Sequence, residues 1–267
     1  MPNHITNRLQ ITNISEENKN RFYSECFVEN DSPYDEYTEL NSYKLSFEKV
    51  IPYPEGFKEE PLQNIMFKDR DFRINLSIPS MPLMGPNNDP IDELNKEFEQ
   101  FCTKLINAAA EKKIEHSVDE IKERIIPEFE KTINIWKNNY EVSNGCFFFY
   151  DFNVQHWGTK WDCYDFQGDT TEMSFNTAWS FPETIVLKIS EEYNCRIDFQ
   201  YADEDIGSNC GFGAMENGKV ISYTDKDGDI AFALEIQGMD PEDYTTEDNF
   251  LPDEEQKTLT QNEADYK

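Results

Sequence analysis

A short block around Trp157 gathers the residue types that acid–base catalysis uses. Within it lie Asp151, His156, Lys160, Asp162 and Asp165. A carboxylate, an imidazole and an ammonium group can exchange protons when their surroundings move their pKa values apart. Structure or partner contact is the simpler interpretation, because neighbouring acids and lysines pair at a small gain in free energy. We therefore assign no catalytic residue and expect no enzyme.

The two tryptophans of this block, Trp157 and Trp161, are expected to share one face. The aromatic-rich stretch from Phe147 to Trp161 favours a strand, in which residues four apart lie on the same side. Lys160 then lies on the other side, within reach of neighbouring acids. The candidates for partner contact in this block are Lys160, Asp162 and Asp165.

Gly211-Phe212-Gly213 has a superficial likeness to a dinucleotide-binding loop. Glu216 stands where the third glycine belongs, and no βαβ unit surrounds the segment. A carboxylate at that position also repels a pyrophosphate. We therefore expect no nucleotide cofactor.

The metal-binding patterns are also weak. Asp225, Asp227 and Asp229 have the one-three-five spacing of a calcium loop, but Ile230 replaces the turn glycine and Ile236 the bidentate glutamate. The three histidines are too far apart in sequence for a helical zinc site. The sequence predicts a hairpin turn here and no metal ion.

Net charge limits the partners. The chain has 24 Lys+Arg and 54 Asp+Glu in 267 residues, a formal charge of −30. The residues from 240 onward carry a charge of −8, so −22 remains on the rest. Such a surface repels nucleic acid and anionic lipid and attracts basic proteins. Six scattered cysteines and the lack of a signal-peptide pattern predict a soluble protein of the reducing host cytoplasm.

The elements that position these residues alternate between β and α patterns. Predicted strands cover 5–12, 43–51, 72–78, 147–161, 173–179, 197–201, 211–216, 219–223 and 230–236. Predicted helices cover 16–27, 91–108, 118–140 and 182–193, with a kink or break at Pro127. This order indicates an α+β fold, with an antiparallel sheet and helices on one face.

The predicted domains follow from these patterns. An α+β body comprises 1–84 and 141–239, a helical hairpin is inserted at 85–140, and an acidic, disordered tail covers 240–267. The apolar stripes of the hairpin either pack on the sheet or belong to a protruding arm that binds a partner or another copy of the chain. The sequence leaves both alternatives open.

Several segments carry a family resemblance. Residues 150–162, with the W-G-T-K-W core, resemble the signature of the YubB-like phage and plasmid family with a ferredoxin-like domain. The segments 47–55 and 177–180 agree in the same order, although Phe152 stands where a second tryptophan is usual. The resemblance implies a ferredoxin-like fold, a mobile-element origin and no catalytic residue. Its structural signature residues here are Trp157, Gly158, Trp161 and Trp179.

The favoured function is inhibition of a basic protein. Dense carboxylates imitate the phosphates of DNA and can occupy the DNA-binding groove of a host defence complex, for example a Gabija-type nuclease. The resemblance to phage proteins favours such an anti-defence function, and association between copies of the chain is a further expectation. With Lys160, Asp162 and Asp165, the candidate partner-binding residues are Asp31, Asp35, Glu36, Tyr37 and Glu39.

The alternative function is an enzyme or a nucleic-acid-binding module. Phe147 to Tyr150 offers aromatic side chains on which bases can stack on a ferredoxin-like sheet. The nearby cations Lys160, Lys188 and Arg196 are sparse for a phosphate track. Clustered aspartates with Mg²⁺ would support a nuclease or phosphatase, whose carboxylate site leaves little local signature.

Overall fold

A computed structural model describes residues 3–30, 42–58, 89–111 and 117–244. The chain divides into two compact units, a first unit of Met1–Pro52 with Asn153–Lys267 and a second unit of Tyr53–Phe152. Some predictions lie outside the described residues: the strand at 72–78, nearly all of the Pro-rich linker, most of the tail, and the site residues Asp31, Asp35, Glu36, Tyr37 and Glu39.

The described residues form the following elements. The strands are β1 (His4–Thr12), β2 (Phe27–Glu29), β3 (Tyr43–Leu45), β4 (Tyr164–Gly168), β5 (Glu172–Ala178), β6 (Arg196–Asp203), β7 (Gly211–Glu216) and β8 (Lys219–Asp225). The helices are α1 (Glu16–Cys26), α2 (Phe47–Val50), α3 (Pro90–Ala110), α4 (Val118–Glu120), α5 (Ile126–Ser143), α6 (Phe149–Phe152), α7 (Glu183–Glu192), α8 (Ile230–Gln237) and α9 (Pro241–Tyr244). Two π-helical turns cover Ile121–Ile125 and Asn153–Trp157.

Six strands of the first unit form one antiparallel sheet in the order β4-β5-β1-β6-β7-β8, while β2 and β3 form a separate pair. Both β5 and β6 run antiparallel to β1, which lies between them, so β5 and β6 are parallel to each other. Because α7 joins them, β5-α7-β6 is the split βαβ unit of ferredoxin-like folds. The prediction of an α+β, ferredoxin-like fold is confirmed.

One face of this sheet forms the core. Alternation along β1 buries Ile5, Leu9 and Ile11, as its period-two pattern predicted. Helices α1 and α7 contribute further fully buried side chains, among them Phe22 and Ile189. Each such side chain stabilises the fold by about 1.5–3 kcal/mol relative to exposure.

The residues 230–236 form helix α8 and not the predicted strand, so that prediction is wrong. Thr6 and Arg8 point to the face opposite the core, and both contact this helix: Arg8 donates to Glu235 O at 2.9 Å and Thr6 to Gln237 Oε1 at 2.9 Å. Gln237 in turn donates to Ala202 O at 2.8 Å. Helix α8 therefore covers part of the second face of the sheet.

The second unit contains the two predicted long helices. Phe101 of α3 and Phe129 of α5 stack edge to face at 4.8 Å, so the two apolar stripes meet each other. The predicted disturbance at Pro127 is present as the π-helical turn that directly precedes α5. Among the helices of the described ranges, none has the length and apolar character needed to cross a lipid bilayer.

The predicted strand from Phe147 to Trp161 is wrong. Helix α6, a π-helical turn and an irregular segment occupy this stretch instead. The segment 43–51 is also only partly a strand, because Phe47–Val50 turns into the short helix α2.

Candidate functional site

One end of the six-stranded sheet brings distant segments together. The register pairs His4 with Ala178, and Tyr201 with Gly211. Strands β5, β6 and β8 all end at this end of the sheet, and β1, β4 and β7 begin there. We call the residues there the sheet-end rim, which comprises 160–165, 179, 203–205 and 225–229.

Carboxylates dominate the sheet-end rim. Besides the half-buried Asp162, six exposed or half-buried acids lie there: Asp165, Glu204, Asp205, Asp225, Asp227 and Asp229. The cations of the rim are Lys160 and Lys226, and Lys226 pairs with Asp229 at 2.7 Å. Within the described residues, no ion pair connects the other five acids to a cation.

The opposite end of the sheet contains pairs between cations and carboxylates. Arg196, where β6 begins, pairs with Asp198 at 2.6 Å. Arg21 pairs with Glu192, near the end of α7, at 2.8 Å. Other acids at that end, Asp169, Glu172 and Glu216, form no ion pair within the described residues. Unpaired acids thus lie at both ends of the sheet, and those of the sheet-end rim share their end with two exposed tryptophans.

The W-G-T-K-W segment divides into an anchored part and an exposed part. Trp157 is buried and its Nε1 donates to Ile51 O at 2.9 Å. Thr159 is also buried and donates to Ala178 O at 2.8 Å, while Ala178 N donates back to its hydroxyl at 3.2 Å. Gly158 has a φ of +80°, which favours glycine. These contacts of Trp157 and Thr159 thus position Lys160 and Trp161 at the rim.

Lys160 lies between two tryptophans. Its Nζ is 5.0 Å from the ring centroid of Trp161 and 4.8 Å from that of Trp179. The two indoles are 42% and 43% exposed. Each cation–π contact contributes about 0.5–1 kcal/mol at an exposed site. The contacts hold two large aromatic side chains in place at the protein surface.

The prediction that Trp157 and Trp161 share a face is wrong, because Trp157 is buried and Trp161 is exposed.

Trp179 has a strained backbone. Its φ of +73° lies in the left-handed region, which costs a side-chain-bearing residue about 1–3 kcal/mol. Two hydrogen bonds hold it there: Trp179 N donates to Asn3 O at 2.9 Å, and Asn209 Nδ2 donates to Trp179 O at 3.1 Å. The fold therefore maintains an unfavourable conformation that presents an indole to solvent.

Asp162, a predicted partner contact, binds the backbone. Its Oδ1 accepts from Phe47 N and Cys163 N, each at 2.8 Å, and its Oδ2 accepts from Ser46 Oγ at 3.1 Å. It thereby caps the start of α2. Burial raises the pKa of Asp162 above its ordinary value, and the hydrogen bonds and nearby Lys44 offset only part of that increase.

The other residues of the proposed acid–base group are dispersed. Asp165 is exposed at the rim and accepts from Asn176 Nδ2 at 3.0 Å. Burial lowers the pKa of His156 and raises that of Asp151, which belongs to the second unit. The carboxylate of Asp162 is already engaged by backbone donors. The structure brings Lys160 and Asp165 to the rim.

Besides Asp229, four rim acids were not singled out as partner contacts: Glu204, Asp205, Asp225 and Asp227. They directly follow or end β6 and β8, which are parallel to each other because both pair antiparallel with β7. Acids at the carboxyl ends of alternate strands are the signal that would have located them. Buried Asp203 holds the turn that follows β6 in place, since it accepts from Asn3 Nδ2 at 3.1 Å and Asp205 N at 2.9 Å.

The aspartates with the spacing of a calcium loop, Asp225, Asp227 and Asp229, accept hydrogen bonds from backbone N–H groups. Asp225 Oδ1 accepts from Asp227 N at 2.9 Å, and Asp227 Oδ1 accepts from Cys210 N at 3.1 Å. Asp229 caps α8 through Phe232 N at 3.1 Å. In the part of the chain that the structure describes, no group of three or more histidine, cysteine or acidic residues is arranged to hold a metal ion.

Comparison with known proteins gives one family model, which matches part of the first unit, and one solved structure. Residues 156–249 match the sequence model of a family described as "Ferredoxin-like domain in Api92-like protein". The crystal structure of a protein api92 from Yersinia pseudotuberculosis is 11% identical, with a TM-score of 0.35, over 84% of this chain and 98% of that chain. No curated protein matches the sequence. The first unit therefore contains a ferredoxin-like domain, similar in sequence to that of Api92-like proteins.

Proposed function

We propose that the protein binds the nucleic-acid-docking surface of a basic protein through the sheet-end rim and thereby blocks it. The observation that supports this function is the presence of five acids without an ion pair at the same end of the sheet as the exposed Trp161 and Trp179. The carboxylates take the place of DNA phosphates, and the resemblance to the YubB-like phage and plasmid family favours a host DNA-processing defence complex as the target.

Both the carboxylates and the tryptophans of the rim have a physical role in such binding. Clustered carboxylates steer a basic partner and accelerate association, with an effect that declines as salt screens the charges. Tryptophan is enriched among the residues that contribute most binding energy, because it buries a large area with few rotatable bonds. Lys160 holds both indoles in position before binding, which reduces the entropy lost on association.

The base-stacking alternative has less geometric support. Phe147 is 2% exposed and packs in the helical core of the second unit, so it is not available to a base. The other three residues of that stretch precede or form the short helix α6 and do not belong to a sheet. The predicted aromatic platform is therefore wrong.

A charge-matched pair of variants tests the proposal. The rim-neutral variant carries Glu204→Gln, Asp205→Asn and Asp225→Asn, which keep the hydrogen-bond acceptors. The off-rim variant carries Glu16→Gln, Glu17→Gln and Glu48→Gln, three exposed acids elsewhere in the first unit. The tagged protein is used to capture a complex from host cells, which is then purified and titrated with each variant in competition with duplex DNA.

We expect the rim-neutral variant to bind the purified complex at least about tenfold more weakly, which corresponds to 1.4 kcal/mol. The off-rim variant should retain affinity, and duplex DNA should displace the wild-type protein. Equal weakening by both variants would mean that only net charge matters. Failure of DNA to compete would refute the blocking of a DNA-docking surface.

Trp179→Gly tests the aromatic part of the rim. Glycine adopts a φ of +73° without strain, and this gain offsets the lost indole packing, the lost contact with Lys160 and the greater entropy of the unfolded chain. We therefore expect the free energy of unfolding to change by no more than about 1 kcal/mol. Binding to the purified complex should nevertheless decrease by about tenfold, as for a moderate hot spot. Urea unfolding and titration of the same samples separate these effects, and loss of stability with unchanged binding would contradict the anchor role.

A further inference from the structure

A recess lies beside the sheet-end rim, between the start of α7 and the strands β6 to β8. This aromatic pocket has a volume of about 370 Å³. The lining residues that matter here are Phe181, Glu183, Phe199, Tyr201, Asn209 and Tyr223. Asn209 also donates to Trp179 O, so the pocket and the rim share a wall.

Flat aromatic rings form much of this pocket. Phe181 stacks on Phe199 at 4.6 Å and on Tyr201 at 5.1 Å, with interplanar angles of 22° and 19°. The hydroxyls of Tyr201 and Tyr223 are 2.8 Å apart and hydrogen-bonded. Phe199 and Tyr201 are buried, whereas Phe181 is half-buried and Tyr223 is 54% exposed. The accessible ring surfaces are therefore those of Phe181 and Tyr223, beside hydroxyl oxygens that can accept from a ligand.

The Gly211-Phe212-Gly213 segment makes room for these rings. A Cβ at Gly211 would lie 3.2 Å from both tyrosine hydroxyls, and one at Gly213 would lie 2.7 Å from Phe199 Cζ. These Cβ atoms would also lie 2.9 Å from Thr224 O and closer still to Ser222 O, so side chains at these positions would displace the backbone of β8 as well as the rings. The two glycines thus have a role in pocket shape and none in holding a pyrophosphate.

The charged groups around the pocket are acidic. Glu183 is exposed in its wall, at the start of α7. Burial is the main cause of the raised pKa of Tyr201, and its bond to Tyr223 and the charges of Asp225 and Asp227 raise it further. Among the described lining residues there is no lysine or arginine. A ligand that enters therefore meets aromatic surfaces in a negative potential.

We propose that this pocket accepts an arginine side chain of the partner protein, an inference that rests on the proposed function. A guanidinium is planar, stacks on aromatic rings and donates in a fork to a carboxylate. Glu183 supplies the carboxylate, and the tyrosine hydroxyls supply further acceptors. An apolar side chain would use neither the Glu183 carboxylate nor the remaining acceptor capacity of the tyrosine hydroxyls, and lysine is more strongly hydrated and does not stack.

The test uses the full chain and small probes. N-acetyl-arginine amide is titrated into isotope-labelled protein, and amide and Asn209 side-chain shifts are followed by NMR. N-acetyl-citrulline amide is the neutral control of the same shape, and N-acetyl-lysine amide tests the guanidinium preference. Glu183→Gln is compared with Glu17→Gln, since Glu17 also lies in the first turn of a helix of similar length.

We expect saturable shifts around Asn209, Val220 and Tyr223 with the arginine probe, and smaller shifts with the other two probes. Glu183→Gln should weaken this binding about fivefold, the effect of about 1 kcal/mol for an exposed ion pair, while Glu17→Gln should not. Equal shifts with citrulline, shifts located elsewhere, or unchanged affinity in Glu183→Gln would overturn the proposal. If the pocket fails but the rim-neutral variant still loses its partner, the proposed function stands without an arginine pocket.

Discussion

Acidic residues of this chain serve two distinct purposes, which Asp162 and Asp205 illustrate. Asp162 accepts two backbone N–H groups and a serine hydroxyl, and so holds α2 and the segment before β4 in place. Asp205 is exposed at the end of β6, where a partner can reach it. Both have the same functional group, and only the surroundings decide which one is available for binding.

The pKa of Asp162 gives the stability a definite pH dependence. Burial raises that pKa in the folded state, so the carboxyl group favours folding below its unfolded pKa of about 3.9. This stabilisation is lost as the pH rises through the folded pKa. In Asp162→Asn the side chain is neutral throughout and keeps an oxygen for Phe47 N and Cys163 N.

We therefore expect the stability advantage of wild type over Asp162→Asn to be greatest below about pH 4 and to shrink toward neutral pH. Urea unfolding of both proteins across this range measures it. Asp162→Ala is the control, because it leaves two backbone donors without an acceptor and should cost about 1–3 kcal/mol at every pH. An advantage that grows with pH would show that the hydrogen bonds outweigh burial.

Helix α8 shows how an element can be misread from sequence. The run 230–236 is almost wholly apolar, and a short apolar run is compatible with a buried strand or a buried helix. Asp229 was the missed signal, since its side chain accepts from Phe232 N and begins the helix. In β1, by contrast, the alternation of Ile5, Leu9 and Ile11 with polar residues was sufficient.

Asp229→Ala tests the importance of this cap. Loss of an N-cap costs about 1–2 kcal/mol, and the pair with Lys226 is lost as well. We expect urea unfolding to show this decrease and hydrogen exchange to be fastest in α8. Glu204→Ala, at an exposed acid of the same sheet end, should remain within about 0.5 kcal/mol of wild type. Similar decreases in both variants would argue against a specific role for the cap.

At the scale of the molecule, the sheet-end rim depends on topology. Its residues come from four segments between 160 and 229, and their adjacency requires the strand order β4-β5-β1-β6-β7-β8. The sequence predicted the α+β class, an acidic surface and Lys160 and Asp165 as contacts. It could not predict the rim, because strand order depends on long-range pairing that local patterns do not record. The exposure of Trp179 depends likewise on a backbone conformation that its residue type disfavours.

The concentration of charge at the rim has a consequence for stability that needs no partner. A chain with a net charge of −30 repels itself in the compact state, and neighbouring acids repel each other most. Raising the salt from about 0.01 M to about 1 M shortens the Debye length from about 30 Å to about 3 Å. We expect the free energy of unfolding to rise by about 1 kcal/mol, or about 2–4 °C in Tm for a chain of this length, in thermal unfolding followed by circular dichroism.

Salt should stabilise the rim-neutral variant less than the off-rim variant, although both have the same net charge. If the two variants respond equally to salt, the rim acids are too far apart to repel each other, and the same spacing would weaken their attraction for a basic groove.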